Sequence, residues 1–238
     1  MADAACREMV QPCFSPAISV IIPVYQEENA IAGLLENLRD LGADEIIVVD
    51  GGSADRTAEI AARYARVVIT PLGRAIQMNA GATAAKGDVL LFLHADVRLG
   101  QAALDAVRNA LADSTFAGGN FDIRFDGGDT AAHIFTIINR WRCRCGILYG
   151  DSGIFCRREI FDQLGGYLPW PILEDYDFAR RLRKIGNLRL LSEPIRVSDR
   201  RWRSGGLWRT LWSWLLIQGL YLAGVSPHRL ARLYRHVR

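Results

Sequence analysis

The sequence predicts a mixed α/β fold: a mostly parallel sheet flanked by helices, with an apolar helical extension at its C-terminal end. Three observations predict it. Short, largely β-branched apolar runs recur through the first hundred residues, amphipathic stretches separate them, and the first three stop at a proline or an acid. Strands that alternate with helices pair largely in parallel, through right-handed crossovers. At 238 residues the chain can bury one sizeable core.

The elements follow in order. Ile18–Ile22 is a buried strand, apolar and β-branched. Residues 27–41 place Ile31, Leu34, Leu35, Leu38 and Leu41 on one helical face. Glu45–Val49 is a second buried strand, broken by Gly51-Gly52, and Ser53 is positioned to cap a helix running to about Tyr64. Arg66–Thr70 is a third strand, stopped by Pro71. Residues 74–85 form a helix despite Gly81, Asp88–Leu93 a fourth strand, and 101–112 a helix. Beyond these lie a strand over 119–125, a helix over 130–141, a loop with a short strand over 150–158, and a helix over 174–185.

Half the residues are hydrophobic and 23% are charged, an ordinary globular composition that argues against disorder. The net charge of +3 hides an asymmetry. Between Arg196 and Arg238 there are nine arginines, no lysine and one acid, Asp199, so the rest of the chain is acidic. The five cysteines are odd in number and form no C-x-x-C pair, which speaks against a disulfide framework or a zinc knuckle. The stretch MADAACREMVQPC lacks the apolar centre of a secretory signal, so a cytoplasmic setting is expected.

Residues 210–227 contain no Asp, Glu, Lys or Arg, and four of the six tryptophans fall between 202 and 214. A membrane span needs about 20 apolar residues. This run is shorter and carries Thr210, Ser213, Gln218 and Ser226. A helix lying in a membrane interface fits it better than a span, and a helix docked on the domain or at a dimer contact is the alternative.

In open α/β sheets, ligands bind beyond the carboxyl ends of the strands. The first strand ends in Pro23-Val-Tyr25-Gln-Glu27, the second in Asp50-Gly51-Gly52 and the fourth in His94-Ala-Asp96. Neither G-x-G-x-x-G nor G-x-x-x-x-G-K-[ST] follows the first strand. Two acids and an aromatic ring suggest instead a nucleotide held by stacking, an acid on base or ribose, and a hard cation on phosphates. Each acid could equally do no more than cap a turn. A further group, Glu174-Asp175-Tyr-Asp177, opens a helix behind the proline-held loop 169–173. It is either charge complementarity at a helix start or a carboxylate presented as a general base.

Five stretches carry a resemblance: ISVIIPVYQEE (18–28), EIIVVDGGSADRT (45–57), QMNAGATAAKGDVLLFLHAD (77–96), GDSGIFCRREIFDQLGGY (150–167) and LEDYDFARRL (173–182). In this order and spacing the chain resembles a family 2 glycosyltransferase of the GT-A fold. The resemblance implies a nucleotide-sugar site at Pro23, Tyr25, Glu27, Asp50, Gly51, Gly52, Arg74 and Asp96. It implies Mg²⁺ or Mn²⁺ at Asp96, with His94 standing where the first acid of D-x-D would be. Asp175 matches the catalytic base, with Glu174 beside it. Asp151 falls on the acceptor and diphosphate side, as do Arg201 and Trp202, whose stretch resembles the Q-x-x-R-W motif with Ser198 in place of Gln. GRAIQMNAGA, YGDSGIF and RRW also resemble a bacterial subfamily named for arsenosugar biosynthesis, and relatives that glycosylate lipids or carotenoids suggest a different acceptor.

The expected organisation is a lead-in over 1–16, a catalytic domain over 17–203, and an apolar, basic extension over 204–238. The expected activity is inverting transfer from a UDP-sugar to the hydroxyl of a small-molecule or lipid acceptor, at the inner face of a membrane. A non-catalytic nucleotide-sugar binder is the alternative, because of His94. A nucleotidyltransferase would want a basic, Gly-rich loop where this chain has PVYQEE. Nucleic acid is not an expected partner, since the tail's tryptophans sit in an apolar run rather than on a charged groove.

Overall fold

A computed structural model describes residues 16–125, 130–144, 148, 150–197 and 207–235. The first half alternates as the apolar pattern requires. β1 (Ile18–Val24), β2 (Glu45–Asp50), β3 (Arg66–Ile69) and β4 (Val89–Phe92) are interleaved with α1 (Ile31–Asp40), α2 (Thr57–Ala61) and α3 (Arg74–Ala84). Then come β5 (Val97–Leu99), α4 (Ala103–Ala112), β6 (Phe116–Phe125) and α5 (Thr130–Arg144). A 3₁₀ turn at Gly150–Ser152 leads into β7 (Ile154–Arg157), α6 (Arg158–Gln163), α7 (Glu174–Ile185) and β8 (Asn187–Val197). The described chain closes with α8 (Leu207–Leu222) and α9 (Pro227–Arg235).

The strands form one eight-stranded sheet in the order β3-β2-β1-β4-β7-β6-β8-β5. Pairings β1–β2, β1–β4, β2–β3 and β6–β8 are parallel, whereas β4–β7, β6–β7 and β5–β8 are antiparallel. The sheet is therefore parallel in its first half and mixed in its second.

Period-two alternation divides the core. Val20 and Ile22 of β1 face α1 and α4, where they meet Leu34, Leu35, Leu38, Leu104 and Val107. Ile21 faces the other way, in the cluster that includes Met78, Phe92, Phe161, Tyr167 and Phe178. Gly81 has its explanation here. A Cβ at that position would collide with Ile21 and Val49, so the glycine lets α3 lie against the sheet.

Several boundaries move from the expected ones. The first helix starts at Ile31, not 27, because the backbone of Glu27 closes a turn first, its carbonyl accepting from Ala30 and Ile31. The second covers only Thr57–Ala61. Ser53 does not cap it; both its N–H and its hydroxyl donate to Asp50, and Asp55 accepts from the Thr57 N–H instead. β5, α6, β8 and α9 are additions. β8 contains Pro194, a residue that argues against a strand. The sheet accommodates it at a register shift, where Leu191 pairs with Phe121 but Pro194 with Asp122.

Candidate functional site

The carboxyl ends of β1, β2 and β4 converge as their parallel pairing dictates. Val24 stands opposite Asp50, and Phe92 is in register with Ile21. Asp50 is buried, and its Oδ1 accepts from the Ser53 N–H at 2.9 Å and from the Ser53 hydroxyl at 2.7 Å. The Ser53 Oγ in turn accepts from the Gln26 N–H, and Thr57 Oγ1 accepts from the Glu27 N–H. The two loops expected to hold a nucleotide are thus stitched to each other. Gln26 takes a left-handed φ of 55° in this turn. Tyr25, beside it, is 42% exposed, so its ring is open to a stacking partner.

Gln77, buried on α3, was not foreseen. Its side-chain amide donates to the carbonyls of Val24 and Val49, both at 2.8 Å, and so clamps the ends of β1 and β2. A lone amide on the buried face of an otherwise small, apolar helix was the available signal.

The second half brings an acid pair to this edge. Leu173 is left-handed at φ 63°, and α7 starts on the next residue. Three acids in its first turn and Arg183 and Lys184 in its last complement the helix dipole. The acids then part company. Asp177 pairs with Arg181 one turn along, at 2.7 Å. Glu174 and Asp175 are buried and face α3. Arg74 donates through Nε to Glu174 Oε1 at 2.5 Å and through Nη2 to Asp175 Oδ2 at 3.3 Å. Asp175 Oδ2 also accepts from the Gly150 N–H at 2.6 Å.

Burial pushes the Glu174 carboxyl above its ordinary value; Arg74 offsets part of this and the charge on Asp175 adds to it. Burial draws the Arg74 guanidinium down, but the two acids more than compensate and raise it, so it remains charged. Arg74, expected at the nucleotide sugar, is the counter-ion of the acid pair, with its side chain 41% exposed.

His94 and Asp96 are half-buried on the loop between β4 and β5. A Cβ on Gly150 would lie 2.9 Å from His94 Nε2 and 3.2 Å from Asp175 Oδ2, so the imidazole and the acid flank one glycine. Asp151 follows in the same turn, with its Oδ1 3.7 Å from Arg142 Nη2 of α5. Among the described residues no group of three or more His, Cys, Asp or Glu could hold a metal ion by itself. Arg201 and Trp202 lie outside the described residues, as does Ser198.

An exposed ring and a fixed acid thus stand at the ends of β1 and β2, and α3, through Gln77 and Arg74, connects these ends to a buried, hydrogen-bonded acid pair. Comparison with known proteins shows the family and the fold. A PGL/p-HBAD biosynthesis glycosyltransferase of Mycobacterium tuberculosis is 30% identical over 202 residues, spanning 77% of this chain and 73% of that protein. Among solved structures, the mannosyltransferase PcManGT of Pyrobaculum calidifontis, in complex with GDP-Man and Mn²⁺, matches with a TM-score of 0.64 at 19% identity, over 94% of this chain and 70% of that one. S. aureus TarS 1-349, in complex with UDP-GlcNAc, matches with a TM-score of 0.62 at 19% identity, over 77% of this chain and 58% of that one. These likenesses agree on the GT-A fold. The model of glycosyl transferase family 2 matches residues 19–165, and the chain belongs to that family.

Proposed function

We propose that the protein is an inverting glycosyltransferase that moves a sugar from a UDP-linked donor to an acceptor hydroxyl, with Asp175 as general base. The observation that carries this reading is the held carboxylate of Asp175. It is 5% exposed, and one of its oxygens is fixed by the Gly150 N–H and Arg74. A base oriented before the acceptor arrives spends no freedom on alignment during the reaction.

Asp175 takes the acceptor proton on a carboxylate oxygen as the acceptor oxygen bonds to the anomeric carbon. The bond from that carbon to the diphosphate breaks, and the diphosphate leaves with the electron pair. Displacement from the opposite face inverts the carbon. Glu174, buried and paired with Arg74, positions this apparatus rather than meeting the acceptor. Tyr25 stacks on the base, with Pro23, Glu27, Gly51 and Gly52 shaping the pocket, and Asp50 supports recognition of uracil or ribose. Asp151, with Arg201 and Trp202, is assigned to the acceptor and diphosphate side.

Asp96, with His94, would hold a divalent cation, Mg²⁺ or Mn²⁺. One carboxylate and an imidazole do not make a cage, and this donor set suits a cation shared with substrate phosphates. When bound, the cation neutralises charge on the leaving diphosphate.

The acceptors raised by the resemblances, an arsenosugar precursor and a lipid or carotenoid, both offer a hydroxyl. The exposed Trp212, Leu215, Leu216 and Leu222 of α8 favour the lipid and a site of action at a membrane surface. The test is nucleoside diphosphate release from a panel of UDP-sugars and GDP-mannose, with Mg²⁺ or Mn²⁺ and with EDTA. Release from a UDP-sugar that EDTA abolishes supports the reading. Nucleotide binding without turnover, across donors and acceptors of both classes, would make the protein a nucleotide-sugar binder instead.

A further inference from the structure

α8 has two apolar faces, and the described chain covers one of them. Its inward side, Ile217, Leu220 and Tyr221, packs with Leu173, Tyr176 and Leu230 into a small core separate from the sheet. Trp212, Leu215, Leu216 and Leu222 form the opposite stripe at helical spacing and are 68, 63, 59 and 67% exposed. An exposed stripe of large apolar side chains marks a contact surface.

The surrounding charge selects the partner. After Asp199 the sequence has no further acid, and eight arginines flank the apolar run between Arg200 and Arg238. Two of them, Arg229 and Arg232, are exposed on α9. A second copy of this chain would bring a segment of the same charge. α8 has 16 residues, and among the described residues no helix is long and apolar enough to cross a membrane. A stripe of Leu and Trp in an arginine-rich segment suits the boundary between anionic headgroups and acyl chains.

We propose that the outward face of α8 seats on an anionic membrane surface and holds the base-bearing segment there. The inward face makes the link. The Tyr221 ring lies 6.2 Å from that of Trp170 and 5.7 Å from that of Tyr176, the residue after Asp175. One helix diameter, about 10 Å, then separates the lipid surface from the segment that carries the base. A hydroxyl on a lipid-borne acceptor reaches the site without leaving the surface. This last step rests on the proposed role of Asp175; the seating itself does not.

The test is sedimentation of the full chain with phosphatidylcholine vesicles, with and without phosphatidylglycerol. The wild type should pellet with the anionic vesicles and be released by salt. The double variant Leu215→Ser/Leu216→Ser should bind on the order of 100-fold more weakly, since each buried leucine contributes roughly tenfold. Both positions are exposed, so the variant should keep its helical circular dichroism and its donor hydrolysis without vesicles. Wild-type protein that stays in the supernatant, or a variant that pellets equally, overturns the proposal. So does a dimer in light scattering that the double variant dissociates, which would make the stripe a self-interface. Vesicle binding without donor hydrolysis would leave the seating intact and sink the enzymatic reading alone.

Discussion

Gly150 donates its backbone N–H to Asp175 Oδ2 at 2.6 Å, so the turn before β7 sets the position of an acid on α7. There is no space for a side chain on that glycine, because a Cβ would press on both His94 and Asp175. Gly150→Ala should therefore displace the carboxylate. A misplacement of about 1 Å can cost roughly 10²-fold in rate. Steady-state kinetics should show the loss in kcat, while the melting temperature stays near that of the wild type.

Asp175→Asn keeps the shape and can still accept the Gly150 N–H, but it cannot take a proton. Turnover should fall by about 10²–10⁴-fold, the usual worth of a general base. UDP affinity by calorimetry should be unchanged. Full activity in this variant would remove Asp175 from the mechanism.

Glu174 gives a pH signature. Its carboxyl is raised above the ordinary 4.5 by burial, so the native chain keeps that proton at pH values where the unfolded chain has lost it. Its contribution to stability is complete below about 4.5 and fades as pH rises through the native value. Glu174→Gln keeps an acceptor for Arg74 and cannot ionise. Denaturant unfolding from about pH 4 to pH 8 should show a shallower decline in the variant than in the wild type. Equal slopes would mean that Arg74 fully offsets the burial.

Asp50→Asn separates loop structure from donor recognition. The asparagine oxygen can accept both hydrogen bonds from Ser53, so the turn should hold and stability should shift by less than about 1 kcal/mol. Loss of the charge should raise the KM for donor roughly tenfold or more, as expected when a hydrogen bond to a charged group is lost. A large fall in stability with unchanged KM would make Asp50 a loop anchor only.

The first half of the sheet was legible because its strands are continuous apolar runs separated by one-faced helices. β8 was not, since its outward charges and Pro194 break the pattern, and its partner β6 lies some seventy residues away in sequence. At the site, Tyr25, Asp50, Asp96 and Asp175 were visible as polar residues at the ends of elements. The contacts around them were not. That Gln77 clamps two strands, that Ser53 serves Asp50 rather than a helix, and that Arg74 faces the acid pair are facts of three-dimensional packing. Periodicity says which face a residue occupies but not which partner meets it there.

The left-handed Leu173 bears on how the protein is completed during synthesis. The residue that turns the chain into α7 is packed under Leu230, which leaves the ribosome long after it. The sheet can form from residues 18–197, all made earlier, but until α9 arrives the turn before Asp175 lacks its cover. A nascent or clipped chain could hold its sheet while the turn into Glu174 and Asp175 still lacks that cover, so the proposed base would settle only once α9 is made.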